Sequence, residues 1–288
     1  MLNIKEVALV TGISKETLRK WEIRYGFPMP TRNNLGIRLY SSEDINKIHT
    51  IKSLLNRGER IGQIARLSEK ELSKLLDVPS DRHLQQDPLF KSIFEYAKVG
   101  DTASIRHLLL DTLNTLGLES FVLQFLAPLL NEIGMAWHNG VISIGQEHLC
   151  TTEITRILTD ANSRIVNRDD SIRVLLATPP YELHAVGLKM VESMVLLGGG
   201  APIYLGTQTP LDEIVQMSVQ ANVKVVAISV SAAYPLKEFR QFFKKLDEIL
   251  PEEVLLWVGG AGAREVYKTS RMRRLALGEI QANLSLLI

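Results

Sequence analysis

The second half of the chain alternates short apolar runs with longer amphipathic segments. The apolar runs have the length and composition of strands that are buried on both faces. They occupy residues 171–177, 201–206, 223–231 and 254–260. Helical spacing of apolar residues is found between them, at 186–197, 211–222 and 235–250, and a helical or irregular turn is predicted at 265–278. This alternation predicts a doubly wound parallel α/β sheet over residues 169–288.

The first 75 residues have the pattern of short helices around a turn. A first helix ends at Gly12, and Ser14 is a suitable N-cap for a second helix over 15–26, which together predict a helix-turn-helix. Prolines then end the helix, and the segment 27–40 predicts two short extended pieces that form a β-wing. Two further helices are predicted at 42–56 and 61–75.

The middle of the chain is helical. Residues 76–88 contain two prolines and little apolar periodicity, which is typical of a linker. From 89 to 168, long apolar-periodic runs are broken only at Gly100-Asp101, Gly117 and Gly140. This pattern predicts a four-helix bundle. The fold class is therefore multidomain α and α/β.

The formal net charge of +1 conceals an uneven distribution of charge. Residues 1–70 hold 13 Lys and Arg against 7 Asp and Glu, and the other 218 residues hold 20 against 25. A basic end fused to an acidic body is typical of an end that binds a polyanion, and charge alone fits a solvated charged face equally well. The single Cys150, the absence of a signal-peptide pattern and the lack of an 18-residue apolar run predict a cytoplasmic protein without a membrane span.

Basic residues on the second helix and the wing are candidates for contacts with DNA. Lys15 and Arg19 are four residues apart and share one helix face, and Lys20 and Arg24 form a neighbouring stripe. The full set of DNA-binding candidates is Lys15, Thr17, Arg19, Lys20, Arg24, Arg32, Arg38 and Tyr40. Arg19 and Arg38 are preferred, because Arg24 can instead neutralise the helix dipole.

The run LRKWEIRYGFPMPTRNNLGIRLYSSEDI resembles the winged helix-turn-helix of the MerR family. The similarity covers residues 1–75 and includes the W-E-x-R-Y-G motif from Trp21 to Gly26. It implies that a double-stranded DNA operator is a partner. Trp21 and Tyr25 are left open between the core and the DNA surface, since aromatic residues at helical spacing usually pack.

Three short segments follow predicted strands in the α/β half. Glu182-Leu183-His184-Ala185-Val186-Gly187 is followed after 41 residues by Ser229-Val230-Ser231, and after another 27 by Gly259-Gly260. Each segment is weak evidence alone, and the lack of G-x-G-x-x-G argues against a dinucleotide. Together they resemble the D/E-x-H-x-x-G, S-x-L, G-G signature of base-off/His-on cobalamin proteins, with Ser231 in place of the leucine. The similarity implies a Rossmann-like cobalamin domain.

That resemblance implies a role for each residue. His184 is the lower ligand of cobalt, and Glu182 orients its ring. Gly187 lets the nucleotide tail of the cofactor pass close to the backbone, and Ser229 hydrogen-bonds the tail. Gly259 and Gly260 leave room for it.

The bundle contains Trp137-His138 and, after nine residues from the tryptophan, Glu147-His148. Taken alone, these residues fit a core tryptophan, a solvated turn and a helix start, and Cys150 lacks an orienting partner for nucleophilic catalysis. Taken with the flanking domains, the whole chain resembles the CarH/LitR photoreceptor regulators. In that family the tryptophan and glutamate contact the adenosyl group. His138 is then the upper cobalt ligand after illumination, with His148 the second candidate.

The resemblance implies a light-responsive transcriptional regulator, favoured as a repressor, rather than an enzyme. It implies adenosylcobalamin in preference to methylcobalamin, DNA binding in the dark as a homotetramer, and smaller species after illumination. Two alternatives remain: a MerR-type regulator that senses cobalamin or acts without it, independently of light, and a corrinoid methyl-carrier protein.

Overall fold

The computed structural model describes residues 1–11, 13–33, 36–56, 61–68, 71–72, 87–138, 140–166, 170–263 and 271–287. The chain divides into two compact units. The first comprises Met1–Asp87 and Glu132–Ile144, and the second comprises Pro88–Asn131 and Gly145–Ile288.

The N-terminal part of the first unit is a winged helix-turn-helix. In chain order its elements are β1 (Leu2–Asn3), α1 (Ile4–Thr11), α2 (Lys15–Tyr25), β2 (Thr31–Arg32), β3 (Arg38–Tyr40), α3 (Ser42–Asn56) and α4 (Ile61–Ile64). The strands form an antiparallel sheet in the order β1-β3-β2. The Ser14 hydroxyl accepts a hydrogen bond from Thr17 N and so caps α2, while Gly26 ends this helix in the left-handed conformation.

The predicted helix 61–75 is described only in part. Residues 61–64 are helical, and Glu71 and Leu72 are helical again, but 69–70 and 73–75 lie outside the described residues. Leu18 of α2 and Ile48 and Ile51 of α3 are fully buried. Trp21 belongs to the same core. Of the two positions that its sequence left open, the core and the DNA surface, the structure shows the core.

Four helices follow the linker. Most of the linker itself lies outside the described residues. The four helices are α5 (Pro88–Val99), α6 (Thr102–Ser120), α7 (Ala127–His138) and α8 (Ile144–Ser163), with a π-helical segment, Phe121–Leu126, between α6 and α7. Asp101 accepts from Ser104 N and caps α6. Gly117, at φ +73°, interrupts the helical conformation. The three predicted breaks are confirmed.

One helical stretch, Thr102–Trp137, has the length and apolar composition of a membrane span. An 18-residue window within it has a mean hydropathy of 1.3. The sequence pattern had predicted no stretch of this kind. Phe121 and Phe125 within it are buried, and Phe125 makes an edge-to-face contact with Phe90 of α5. Such packing is that of a core helix in a bundle.

The C-terminal part of the second unit is a parallel α/β sheet. Its elements are β4 (Arg173–Ala177), α9 (Val186–Leu197), β5 (Ala201–Gly206), α10 (Leu211–Gln220), β6 (Val225–Ser229), α11 (Leu236–Ile249), β7 (Leu255–Gly259), β8 (Met272–Arg274) and α12 (Ile280–Ser285). The strand order is β5-β4-β6-β7-β8, which confirms the doubly wound prediction. The predicted C-terminal turn is wrong in one respect: Met272–Arg274 pairs in parallel with β7 as a fifth strand, an edge position that needs no long apolar run.

Polar contacts join the bundle to the sheet within the second unit. The buried Asn162 of α8 donates to Glu192 and accepts from Ser193 Oγ, both on α9. On another side, Gln281 of α12 donates to Glu119. Helix α9 therefore connects the bundle with the loop that carries the signature histidine.

Candidate functional site

The carboxylate of Glu182 organises the loop that follows β4. This side chain is 2% exposed. Its Oε1 accepts from His184 N at 3.0 Å and from His184 Nδ1 at 2.5 Å, and its Oε2 accepts from Ser231 N at 2.9 Å and Ser231 Oγ at 2.8 Å. The four hydrogen bonds satisfy a buried charge that would otherwise be costly.

These bonds leave His184 with one ring nitrogen directed elsewhere. The side chain is 61% exposed, and no partner of its Nε2 is found in the part of the chain that the structure describes. With Nδ1 bonded to a carboxylate, the imidazole is held in the tautomer that offers Nε2 as a metal ligand. Glu182 and His184 therefore form an oriented carboxylate–histidine pair.

The electrostatics of the pair reinforce this geometry. Burial acts to raise the pKa of Glu182, but hydrogen bonds from His184 and Ser231 outweigh it and the pKa lies below its usual range. The hydrogen bond to Glu182 raises the pKa of His184, burial opposes it, and the charges of Glu182 and Glu147 add to the increase. Glu182 is therefore a carboxylate over the whole neutral range.

Ser231 has a role that the sequence pattern did not indicate. It was predicted as a cofactor-binding residue that replaces the signature leucine, yet its hydroxyl and its backbone N–H both bond Glu182, 49 residues away. Gly262 was also missed: a Cβ there would lie 2.2 Å from Ser231 O. A glycine two residues past the G-G pair is the only sequence signal for this close approach.

We expect Ser231→Ala to lower the free energy of unfolding by about 1–3 kcal/mol, because a buried carboxylate loses one of its donors. Urea unfolding measures the change. Ser285→Ala, which removes an exposed serine hydroxyl bonded to Gln281 O, is the matched control and should change stability by less than about 0.5 kcal/mol. Equal effects of the two substitutions would contradict this role for Ser231.

A cavity of about 480 Å³ lies beside this loop at the carboxyl ends of β6 and β7. Its walls include four predicted residues: Gly187, Ser229, Gly259 and Gly260. A Cβ at Gly187 would lie 3.1 Å from Ser229 Oγ and narrow the cavity. Gly260 has a further reason to be glycine, since its φ is +93° and a Cβ would lie 2.3 Å from Val230 O.

The residues predicted to cover the cofactor belong to different units. Glu147 and His148 lie at the start of α8 in the second unit, where His148 Nδ1 contacts Glu147 Oε2 at 2.5 Å. Trp137 belongs to the first unit, and its ring lies 5.4 Å from that of His49 on α3, in an edge-to-face arrangement. His138 is the last residue of α7, and its side chain lies outside the description.

Cys150 is not a nucleophile. It is fully buried, and burial together with the charge of Glu147 raises the pKa of its thiol to about 12. A thiol in that environment stays protonated and unreactive near neutral pH. The environment of Cys150 therefore agrees with the expectation from the sequence that this thiol does not act as a nucleophile.

The basic candidates of the first unit fall into two groups. Arg19, Lys20 and Arg24 on α2 and Arg32 on β2 are exposed, and Lys15 and Thr17 are half-buried. Arg38 is instead held by Glu22 of α2, with Nε 2.9 Å from Oε2. The sequence pattern favoured Arg19 and Arg38 equally as contacts with DNA. Of these two arginines, only Arg38 forms an ion pair with a carboxylate among the described residues.

The prediction that Tyr40 contacts DNA is wrong. Tyr40 is 0% exposed and belongs to the core between β3 and the helices. Its hydroxyl has no hydrogen-bond partner among the described residues, and burial raises its pKa. The alternation of the wing strand places this position inwards, next to the half-buried Arg38 and Leu39.

We expect Tyr40→Phe to leave operator affinity within about twofold of the parent and to keep or slightly raise thermal stability, because it removes an unpaired buried hydroxyl. Fluorescence anisotropy on operator DNA and thermal unfolding test both points. A loss of affinity at unchanged stability would show that the hydroxyl reaches the DNA after all.

Comparisons with known proteins divide the chain into three matched segments. Residues 2–71 match the family described as "MerR HTH family regulatory protein". Residues 89–159 and 172–276 match two families, each described as "B12 binding domain". A MerR-type segment followed by two B12-binding segments supports a CarH-type B12-dependent MerR regulator. This assignment also rests on two relatives that it matches along most of its length.

The relatives are regulators from Myxococcus xanthus. The chain is 26% identical over 268 residues to "HTH-type transcriptional repressor CarH", with 91% of this chain and 89% of the relative covered. It is 28% identical over 270 residues to "HTH-type transcriptional repressor CarA", with 93% and 89% covered. Together with the matched families, these relatives support a B12-binding MerR-type regulator.

A solved structure shares the fold of the larger part of the chain. The chain aligns with the Methanosarcina barkeri monomethylamine corrinoid protein with a TM-score of 0.56 and 14% identity, over 69% of this chain and 98% of the other. At that identity the similarity shows the fold alone. It agrees with a helical bundle followed by a parallel Rossmann-like sheet.

The residues present fit a corrinoid. His184 offers one ring nitrogen while Glu182 holds the other, which matches a lower ligand for cobalt. The lining of the neighbouring cavity includes the small residues Gly187, Ser229 and Gly260, which leave room for part of a ligand. A ligand with a metal centre and a long polar tail would use both the histidine and the cavity.

Proposed function

We propose that this CarH-type chain is a light-responsive transcriptional repressor of the cytoplasm, not an enzyme, that binds its operator in the dark with adenosylcobalamin and releases it in light. The observation that carries the proposal is the hydrogen-bond network of Glu182, which leaves Nε2 of His184 available beside a cavity. That arrangement supports a cobalt ligand on a regulator whose first 71 residues match a DNA-binding family.

The residues of the chain hold the cofactor rather than react with it. His184 would ligate cobalt from below, and Glu182 would keep its ring in one tautomer and orientation. Gly187, Ser229, Gly259 and Gly260 would admit the nucleotide tail to the cavity. When bound, adenosylcobalamin supplies a cobalt–carbon bond that visible light cleaves; methylcobalamin is the less favoured form.

The upper face would be covered by Trp137 and Glu147, with His138 as the upper ligand after illumination and His148 as the second candidate. Contact between the rings of Trp137 and His49 supports a route from the cofactor to DNA binding. His49 lies on α3, which packs in the core of the winged helix. A displacement of Trp137 therefore alters a contact of the DNA-binding domain itself.

A change in oligomeric state would link the contact between Trp137 and His49 to the affinity for the operator. A homotetramer in the dark joins several basic domains, so that their DNA affinities combine, and its separation in light removes that gain. The body beyond residue 70 is acidic and does not itself attract DNA. One isolated domain would then bind the operator weakly.

The test compares the purified protein with and without adenosylcobalamin in the dark, and again after green light. Analytical ultracentrifugation reports the mass, and anisotropy reports operator affinity. We expect a tetramer and tight binding only with the cofactor in the dark. Cofactor-dependent binding that ignores light would favour a cobalamin-sensing regulator instead. Unchanged mass and affinity without any cofactor would reject both, and methyl transfer without DNA binding would indicate a corrinoid carrier.

A further inference from the structure

One residue on the exposed face of α2 is apolar. The exposed residues of this helix are Glu16, Arg19, Lys20, Ile23 and Arg24. Their spacing of three and four residues places them in one stripe along the helix, on the other side from the buried Leu18 and Trp21. Four members of the stripe are charged, and the fifth, Ile23, is 81% exposed. A single exposed aliphatic residue is ordinary on a protein surface, so its meaning depends on what covers the stripe.

The charge and the position of the stripe indicate that DNA covers it. Three of its charged members are basic and one is acidic, which gives a net charge that complements phosphate. Helix α2 is the second helix of the helix-turn-helix, within the segment 2–71 that matches a DNA-binding family. In domains of this kind the second helix lies in the major groove. Ile23 therefore lies on the side of α2 that faces the edges of the base pairs.

The side chain of Ile23 suits one group in that groove. Helical side chains lean towards the N-terminus of their helix, so Ile23 covers the preceding turn between Arg19 and Lys20. Its branched side chain is stiff and has no donor or acceptor for a hydrogen bond with a base. The C5 methyl group of thymine is the apolar group that base pairs present in the major groove. An aliphatic side chain among basic residues is therefore suited to contact a thymine.

We propose that Ile23 is a specificity-determining residue that packs against the C5 methyl of a thymine and selects an A·T pair at that position of each half-site. The basic residues around it position the helix on phosphates, and such contacts carry no sequence information. Ile23 adds a contact that does. This inference rests on the operator binding of the proposed function and is independent of the cofactor and of light.

The deciding experiment removes the methyl group from the DNA and the aliphatic side chain from the protein. The operator is selected from a pool of random duplexes with the full chain, in whichever of the dark, illuminated and cofactor-free states it binds most tightly. Each thymine is then replaced, at symmetry-related positions, by deoxyuridine, which keeps the base pair and lacks only the methyl group. Fluorescence anisotropy gives the affinities of the parent and of Ile23→Ala for every duplex.

We expect one pair of positions at which deoxyuridine weakens binding of the parent by about 3- to 5-fold for each contacted half-site, the value of one buried methyl group. Ile23→Ala should lose about 3- to 10-fold for each half-site on the unmodified operator. On this variant the same deoxyuridine should cost less than about 1.5-fold, because the partner of the methyl group is already absent.

Val219→Ala is the matched control. Val219 is an aliphatic residue on α10 that is 60% exposed and lies in the second unit. This variant should keep the ratio of affinities that the parent shows for the thymine and deoxyuridine duplexes. Ile23→Arg supplies a further test: it should lose that ratio and gain affinity for unrelated duplexes with a steeper salt dependence, because it exchanges a base contact for a phosphate contact.

Two results would overturn the inference. If no thymine of the operator is sensitive to deoxyuridine in the parent, the chain reads no methyl group. If the sensitive thymine costs the parent and Ile23→Ala the same factor, another residue or the shape of the DNA reads it. A parent chain that selects no duplex in any state would instead reject operator binding itself, and the inference would fail with the proposed function.

Discussion

Replacing His184 with alanine is expected to lower the affinity for adenosylcobalamin by more than about 100-fold, since even residues that only orient a metal ligand are worth about 10- to 100-fold. The reason lies in the geometry: Glu182 fixes Nδ1 of His184, and the variant leaves cobalt without the remaining nitrogen. The dark absorption spectrum of any cofactor that still binds should lack the signature of a histidine ligand.

His107→Ala is the control for this experiment. His107 lies on α6, is 79% exposed and, among the described residues, pairs with the exposed Asp111 at 3.3 Å. It therefore tests the loss of a histidine without touching the cavity. We expect parental affinity and spectrum from this variant. A His184→Ala protein with the parental cobalt spectrum would disprove the lower-ligand assignment, whatever its effect on DNA binding.

The hydrogen bond between His184 and Glu182 could be predicted from the sequence for a local reason. Both residues lie in one loop after an apolar run, and a spacing of two lets a carboxylate reach the imidazole directly. Apolar runs likewise predicted β4 to β7, because strands buried on both faces must be apolar throughout. The His184–Glu182 contact and strands β4 to β7 depend on residues that are close together in the chain. They can therefore be predicted from the sequence.

Features that depend on distant pairing were not predicted. Ser231 bonds a residue 49 positions away, and Arg38 pairs with Glu22 across 16 positions. Trp257 could not be placed on the cavity before its register with Ala227 was known. Strand β8 has two exposed arginines and becomes a strand only because β7 offers an edge. Tertiary contacts decide each of these cases.

Arg19→Ala is expected to weaken operator binding by about 1–3 kcal/mol for each DNA-bound domain, which is about 5- to 150-fold. Arg19 is exposed on α2, the second helix of the helix-turn-helix, and carries no ion pair that would compete with DNA among the described residues. The losses add when two domains of one oligomer bind the same operator, because each copy carries the substitution.

Arg38→Ala is the matched comparison, since it removes the same charge from the same domain. Arg38 is already neutralised by Glu22, and the two side chains are about one-quarter exposed. An ion pair of this kind contributes up to about 1 kcal/mol, so we expect a smaller loss of affinity and a smaller change in its salt dependence. Titrations at several salt concentrations measure both quantities. If Arg38→Ala matched or exceeded Arg19→Ala, the Glu22 pair would have to open on DNA, and the wing rather than α2 would supply the main phosphate contact.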